Sequence, residues 1–290
     1  MTNTSGRLFV VATPIGNLDD ISPRALDVLG AVDLILAEDT RHSAKLLGRF
    51  GISTKVTAFH EHNERRAVAD ILARIRSGLD VALISDAGTP LISDPGFHLV
   101  RHAHEQHIQV VPVPGPSAVL AALSVSGLPT DRFVFEGFLP SRREQRLRRL
   151  EALADVPATI VVLEGPHRLL PTLEDMAAVF GPERTAAVAK ELTKRFEVVR
   201  RDTLGALHAW LTESAERQKG EFVLVIGGAA KTPAEASESA HRELLSTLMD
   251  EVPLKTAVKM AAKISGANRN DLYDLALALA GERGEGSEDA

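Results

Sequence analysis

VALISDAGTPLISDPG, residues 81–96, opens as an apolar run and then spells Ser-Asp-X-Gly twice, at Ser85–Gly88 and Ser93–Gly96. A short apolar run bounded by turn residues reads as a buried strand, and parallel sheets present ligands on the loops at their strands' carboxyl ends. Phosphate is the usual guest of glycine-rich loops, yet no Lys or Arg occurs between Arg76 and Arg101. The loop carries Asp86 and Asp94 instead, which suits a neutral or cationic ligand. Of the two copies, the first reads as ligand wall. The second reads as the start of the next helix, with Ser93 or Asp94 as its cap.

The same alternation extends to both sides. Leu8–Ala12, Leu34–Ala37, Lys55–Phe59 and Gln109–Val113 read as further strands, with helices near 23–30, 41–49, 64–77, 96–106 and 117–126. Strands alternating with helices imply a mostly parallel sheet covered on both faces. After Leu128-Pro129-Thr130 a second block alternates strand-like Phe133–Glu136, Thr159–Leu163, Thr185–Ala189, Glu197–Arg201 and Phe222–Ile226 with helical segments, and mixed strand direction is open to it. The predicted organisation is an α/β domain over 1–127, a second α/β domain over 128–228, a linker over 229–239, and a helical C-terminal segment over 240–290 ending in an acidic tail.

With 290 residues, 44% hydrophobic and 25% charged, the chain has the composition of a globular protein large enough for two such domains. It contains no cysteine, which excludes disulfides, thiolate catalysis and Cys-ligated zinc and fits a cytoplasmic protein. The long uncharged stretch Ile108–Thr130 is broken by Pro112, Pro114 and Pro116, so no membrane span is expected. A net charge of −6 gives no global attraction to nucleic acid, so any RNA contact must be local.

Three turns at equivalent strand ends suggest one ligand cleft: Thr13-Pro14-Ile15-Gly16, Asp86-Ala87-Gly88 and Pro114-Gly115-Pro116-Ser117-Ala118. Glycine there lets backbone groups approach a flat ligand, and Asp86 can accept from ribose hydroxyls or an ammonium. Neither a Walker loop nor a first-strand G-x-G-x-x-G is present, so ATP and NAD lack their usual signatures. Asp39, His60, Glu61 and His62 end two neighbouring strands and are the candidate catalytic residues, a carboxylate or histidine among them serving as proton acceptor; Asp39 and Glu61 are candidate general bases, although Asp39 equally suits a helix cap. On an extended segment His60 and His62 share a face, but no third ligand at a diagnostic spacing accompanies them, and no metal is expected.

Arg142, Arg143, Arg146, Arg148 and Arg149 crowd one predicted helix beside an apolar stripe of Leu147, Leu150 and Leu153, which puts the arginines on its solvent side. Lys190 and Lys194 add a second basic cluster, and Lys255, Lys259 and Lys263 share a face of a later helix. These are candidate phosphate-backbone contacts. Around Ser265–Asn268 a helix–turn–helix pattern is similar to a nucleic-acid-binding hairpin, while Tyr273 suits either core packing or base stacking.

Taken in order, VATPIGNLDDIS (11–22), AEDTRHSAKLL (37–47), HEHNE (60–64), SDAGTPLISDPG (85–96), VPGPSA (113–118), SGLPTDRFVFEGFLP (126–140), PHRLLPTLEDM (166–176), KELTK (190–194) and GEFVLVI (220–226) resemble the tetrapyrrole-methylase-like S-adenosylmethionine methyltransferases. Within that family the match is to the branch that methylates a cytidine 2′-oxygen of 16S ribosomal RNA. The resemblance implies two α/β domains with an S-adenosylmethionine cleft between them, a homodimer, and 16S rRNA or the 30S subunit as substrate. By motif, Pro14, Gly16, Asp86, Ala87, Gly88, Pro114, Gly115, Ser117 and Ala118 would line the cofactor site, joined by Glu164, Gly165, Pro166 and the Gly220–Phe222 region. One departure stands at Leu163-Glu164-Gly165, where such proteins commonly carry an aromatic residue followed by Glu-Ser. Two other classes stay open: a methyltransferase of tetrapyrroles or other small molecules, and a non-catalytic RNA-binding or ribosome-assembly protein.

Overall fold

The computed structural model describes the backbone of residues 5–229 and 233–285, and the side chains of these except 61–63, 233–239 and 281–285. Strands β1 (Arg7–Val11), β2 (Leu34–Ala37), β3 (Val56–Ala58), β4 (Val81–Ile84) and β5 (Gln109–Val113) form an all-parallel sheet in the order β3-β2-β4-β1-β5. Their side chains alternate between two cores. Leu8, Leu34, Leu36, Val81 and Leu83 point to one face, where α3 (Glu61–Arg76) and α4 (Phe97–Glu105) cover them with Ile71, Ile75 and Leu99. Phe9, Val11, Ile35, Ala37 and Ile84 point to the other, against Ala25, Leu29, Leu46 and Leu47 of α1 (Pro23–Ala31) and α2 (Thr40–Arg49). Burial on both faces is why β2 and β4 read as unbroken apolar runs. Helix α1 starts as expected: Ser22 accepts from the Ala25 amide at 3.1 Å and Pro23 occupies the first turn.

The second sheet holds β6 (Phe133–Phe138), β7 (Thr159–Glu164), β8 (Thr185–Lys190), β9 (Val198–Thr203) and β10 (Phe222–Ile226) in the order β6-β7-β10-β8-β9. Only β6 and β7 pair in parallel, so the mixed direction left open by the sequence is realised. Helices α6 (Arg143–Glu151), α7 (Leu169–Phe180) and α8 (Leu204–Thr212) cover one face through Leu150, Leu173, Met176, Leu207 and Leu211. The opposite face is covered by α5 (Ala118–Val125), the helix that follows β5: Val119, Ala122 and Leu123 pack with Val161, Ala187, Val223 and Val225. Ile15, in the loop after β1, belongs to the same cluster. The two α/β halves therefore share a core, and residues up to Gly228 form one compact unit.

The second unit contains α9 (Pro233–Glu251), α10 (Leu254–Ser265) and α11 (Arg269–Glu285) around Leu245, Val258, Ala261, Leu272 and Ala276. Tyr273 packs partly buried against this core, which favours the packing role over stacking on a base. Helix α10 stops at Gly266, whose φ of 72° is the left-handed cap that glycine tolerates. The stretch expected as a linker is shorter than its composition suggests, because α9 begins at Pro233, a residue suited to a first helical turn. Residues 1–4 of the polar arm, 230–232 of the linker and 286–290 of the acidic tail lie outside the described residues.

Candidate active site

Hydrogen bonds tie the three predicted loops to one another. Thr13 and Gly88 exchange backbone bonds of 2.8 and 3.1 Å, and the Thr13 hydroxyl donates to the Ser85 carbonyl at 3.1 Å. The Thr89 hydroxyl in turn donates to the Pro116 carbonyl at 3.1 Å, joining the loops after β4 and β5. Gly88 adopts φ 85°, and a Cβ at Gly115 would stand 3.0 Å from that of Ala12. Close approach and a left-handed turn thus account for both glycines.

The loops form one wall of a cavity of about 340 Å³, within the range of small-molecule sites. Ala87, Gly88, Ser117 and Ala118 line it as expected, and the second half contributes Leu163, Glu164, Gly165, Glu221 and Phe222. No Lys or Arg lines it, whereas Asp94, Glu164 and Glu221 do, so its lining matches a ligand without negative charge. The remaining expected cofactor residues, Pro14, Gly16, Asp86, Pro114, Gly115 and Pro166, shape the loops but are not among the lining residues. Ile15, between Pro14 and Gly16, supplies the apolar contact instead. Gly16 sits against the Leu192–Lys194 turn, and the Asn17 amide donates to Thr193 Oγ1 at 3.1 Å. Asp86 accepts from the Asp39 amide at 3.0 Å, fastening the loop after β2 to the loop after β4.

Glu164 has a structural task. Its fully buried carboxylate accepts from the Gly165 amide at 2.9 Å, Arg168 at 2.8 and 3.1 Å, and the Thr172 hydroxyl at 2.8 Å. Four donors fill its acceptor sites, so it holds the Gly165–Arg168 turn in place along the cavity.

Asp39 caps α2, the plainer of the two roles open to it: its Oδ1 accepts from the Arg41 amide at 2.8 Å and the His42 amide at 3.3 Å. Those two amides, Arg41 first, hold its carboxyl below the usual range, which makes it a poor proton acceptor. Because asparagine caps equally well, Asp39→Asn is expected to keep both the melting temperature and the single-turnover methyl-transfer rate. A large loss of rate with unchanged melting would restore Asp39 as the base. Helix α3 already begins at Glu61, so the extended segment on which the sequence placed His60 and His62 is helical from Glu61 onward. His60 is half-buried just before α3, and the side chains of Glu61 and His62 lie outside the described residues. No group of three or more His, Cys, Asp or Glu is placed to hold a metal ion among the described residues.

Asp94 is the site residue that the sequence reading missed. Helix α4 is preceded by Gly96, which has no side chain to cap it. Its amides are met from α3, where Glu64 accepts from Gly96 at 3.2 Å and from His98 at 3.0 Å. Neither Ser93 nor Asp94 is therefore a cap, and Asp94 faces the cavity. Burial, followed by the nearby charge of Glu38, pushes its carboxyl up to about 6; the Ser85 hydroxyl opposes this, and the charge of Asp86 adds the least. The only hint in the sequence was the duplicated Ser-Asp.

The basic helix α6 differs most from expectation. Arg146 is buried at 4% exposure, with Nε and Nη2 donating to Asp175 at 2.9 and 2.7 Å. Arg143 joins the same carboxylate at 2.9 Å, and Arg149 forms a two-pronged pair with Glu136 at 2.6 and 2.7 Å. Lys190 is buried and donates to the Glu216 carbonyl, while Lys194 bridges Glu191 and Glu221 at 3.0 Å each. Of the expected contacts Arg142, Lys255 and Lys259 are exposed and make no ion pair among the described residues.

The family model of tetrapyrrole (corrin/porphyrin) methylases matches residues 7–208, and that of the RsmI C-terminal HTH domain matches residues 235–280. Among curated proteins, ribosomal RNA small subunit methyltransferase I of Pseudomonas aeruginosa is 53% identical over 280 residues, covering 96% of this chain and 99% of that protein. The protein of the same name from Escherichia coli O157:H7 is 49% identical over 275 residues, covering 95% and 96%. Among solved structures, uroporphyrin-III-C-methyltransferase from Thermus thermophilus superposes with a TM-score of 0.54 at 24% identity, over 77% of this chain and 94% of that one. A structure of that enzyme complexed with S-adenyl homocysteine gives a TM-score of 0.53 at 19% identity, over 77% and 97%. At these identities the solved structures share the fold.

Proposed function

We infer the chemistry of the cleft from one premise: the chain belongs to the tetrapyrrole (corrin/porphyrin) methylase family. It is an S-adenosylmethionine-dependent methyltransferase of small-subunit ribosomal RNA. The observation that carries this reading is the cavity itself, built from backbone loops of one half and from β7 and β10 of the other, without a cationic side chain in its lining. S-adenosylmethionine supplies a methyl group already activated by a positive sulfonium. Ile15, Leu163 and Phe222 offer apolar surface for its adenosine, while Gly88, Ala118 and Gly165 leave backbone groups within reach of its polar atoms. The acidic side chains in the lining, Glu221 among them, suit its positive end. Most of the acceleration in such a reaction comes from holding acceptor and donor in line.

The finer assignment is methylation of a cytidine 2′-oxygen in the decoding region of 16S rRNA, by a cytoplasmic homodimer. Exposed Leu120 and Val125 on α5 and Phe196 beside β9 supply apolar surface for a second copy. The position of the new methyl group is testable because a 2′-O-methyl blocks alkaline cleavage of the following phosphodiester. Labelled product digested with alkali should release the label in a dinucleotide beginning with cytidine. Release in a mononucleotide would mean that a base was methylated instead.

The exposed lysine face of α10 is the best remaining phosphate contact. Val258 and Ala261 are buried on that helix, whereas Lys255, Lys259 and Lys263 face solvent. Changing all three to glutamine is expected to weaken rRNA binding and to reduce the magnitude of its log–log salt slope by about 0.7–0.9 per lysine that contacts a phosphate. Cofactor affinity should not change. An unaltered slope would remove this helix from the interface.

A further inference from the structure

Asp94 stands at the junction of two cavities. Besides the methyl-donor cavity, a second space of about 570 Å³ is bounded by Glu38, Glu64, Arg65, Phe97 and His98, and Ser93 and Asp94 line both. A methyl donor and its acceptor must meet where their binding spaces adjoin. The chain is shaped to put a carboxylate there. Leu91 and Ser93 are held at φ 72° and 68°, a conformation that side-chain-bearing residues rarely adopt and that tends to persist where a site requires it. Across the cleft, β6 breaks register between Phe135 and Gly137, and a Cβ on Gly137 would stand 3.0 Å from Ser93 Oγ. The loop thus docks on the second sheet, which fixes how far Asp94 reaches.

We propose that the second cavity receives the acceptor ribonucleotide and that Asp94, the wall common to both cavities, accepts the proton of its 2′-hydroxyl. This rests on the assignment of the chain as an rRNA methyltransferase and goes beyond it by naming the acceptor site and the base. As the O–H bond breaks, its proton passes to an Asp94 oxygen. A pair on the 2′-oxygen forms the O–CH3 bond, and the S–CH3 pair returns to sulfur, leaving a neutral thioether.

The surroundings suit the task. Glu38 from the end of β2 and Asp86 from the loop after β4 face Asp94 and favour its protonated form, while Ser85 opposes them. Around the second cavity, Glu64 is occupied by its bonds to the start of α4, and Arg65 and His98 are the basic groups. On the donor side Glu164 is bonded to Arg168 and Thr172, and Glu221 is paired with Lys194. A base with a carboxyl near 6 is mostly ionised at neutral pH yet more basic than an ordinary aspartate, which brings it closer to the requirement of general-base catalysis. Phe97, 60% exposed at the rim, offers a flat face on which a cytosine can stack.

The test uses Asp94→Asn, nearly isosteric, in the full-length protein with 30S particles as acceptor. For the unmodified protein, the single-turnover rate should rise with pH to a plateau, with an inflection near 6. In Asp94→Asn the plateau rate should fall roughly 100-fold or more and the inflection should vanish, while S-adenosylmethionine affinity, to which this wall carboxylate is one of several contributors, should fall by far less than the rate. A second readout is independent of turnover. A raised carboxyl costs stability as pH climbs through it, so Asp94→Asn should melt higher than the unmodified protein at pH 7.5 and lose that advantage toward pH 4. Phe97→Ala should raise KM for the RNA roughly 10-fold without changing cofactor affinity. Retention of the rate and inflection by Asp94→Asn would overturn the base, and an unchanged KM in Phe97→Ala would overturn the acceptor cavity. If the unmodified protein labelled no RNA at all, the parent assignment would fail, while the melting comparison would still report how Asp94 titrates.

Discussion

Arg146→Ala is expected to lower the unfolding free energy by about 3–5 kcal/mol, a large part of a typical domain's stability. The reason lies in its partner. Asp175 is 1% exposed on α7, and Arg146 supplies two of its three hydrogen bonds. The third comes from Arg143, whose side chain is 68% exposed and compensates only partly. Deleting Arg146 leaves a buried carboxylate short of partners, which costs more than the ion pair itself contributes. Replacing both residues by apolar ones, as in Arg146→Met with Asp175→Leu, should therefore recover most of the loss. By contrast Arg148→Ala, on the same helix, should change stability by no more than about 0.5 kcal/mol, because its pair with Glu144 lies in solvent. Urea unfolding of the three variants checks this. Equal effects at Arg146 and Arg148 would mean that the arginine run acts as a surface patch after all.

Gly16→Val is expected to raise the dissociation constant for S-adenosylmethionine by about 5- to 150-fold, the equivalent of about 1–3 kcal/mol of overpacking. A Cβ at Gly16 would overlap Lys194 Cγ and come within 2.9 Å of Thr193 Oγ1 and 3.0 Å of the Leu192 carbonyl oxygen. Lys194 cannot move aside cheaply, since its ammonium bridges Glu191 and Glu221. The turn opposite is also stiff, with Glu191 and Thr193 at φ 51° and 64°. The valine would push Ile15 and Leu192, both lining the cavity, apart. Gly30→Ala is the control: nothing lies within 4 Å of its Cβ, and alanine in a helix should stabilise by about 1 kcal/mol. Calorimetric titration distinguishes the two, and unaltered affinity in Gly16→Val would mean that the loop after β1 does not shape the cofactor cavity.

Much of the fold was legible because its strands carry local signals. LILA and VALI are buried on both faces, and the loops that follow them have few ways to turn. Local chemistry also announced the break between helices at Gly266. What stayed hidden depended on distant partners. The cap of α4 comes from Glu64, more than thirty residues earlier in the chain, so Asp94 looked like a cap when it was a cavity wall. Arg146 looked like a surface charge because Asp175, 29 residues on, has no signature of its own. The division of the first unit into two halves was clear in sequence, but the packing of α5, which follows β5, on the second sheet was not. Its uniform apolarity gives no sign of which face is buried or against what.

That this cleft transfers methyl groups from S-adenosylmethionine to small-subunit ribosomal RNA underlies every role given to its residues. It is tested most directly by incubating the protein with methyl-tritiated S-adenosylmethionine and, in parallel, with undermethylated 30S particles, protein-free 16S rRNA and uroporphyrinogen. Label is expected in 16S rRNA, sensitive to ribonuclease and confined to one nucleotide, from at least one of the two RNA substrates, and none in the tetrapyrrole. Label in the tetrapyrrole with both RNA substrates blank would contradict it.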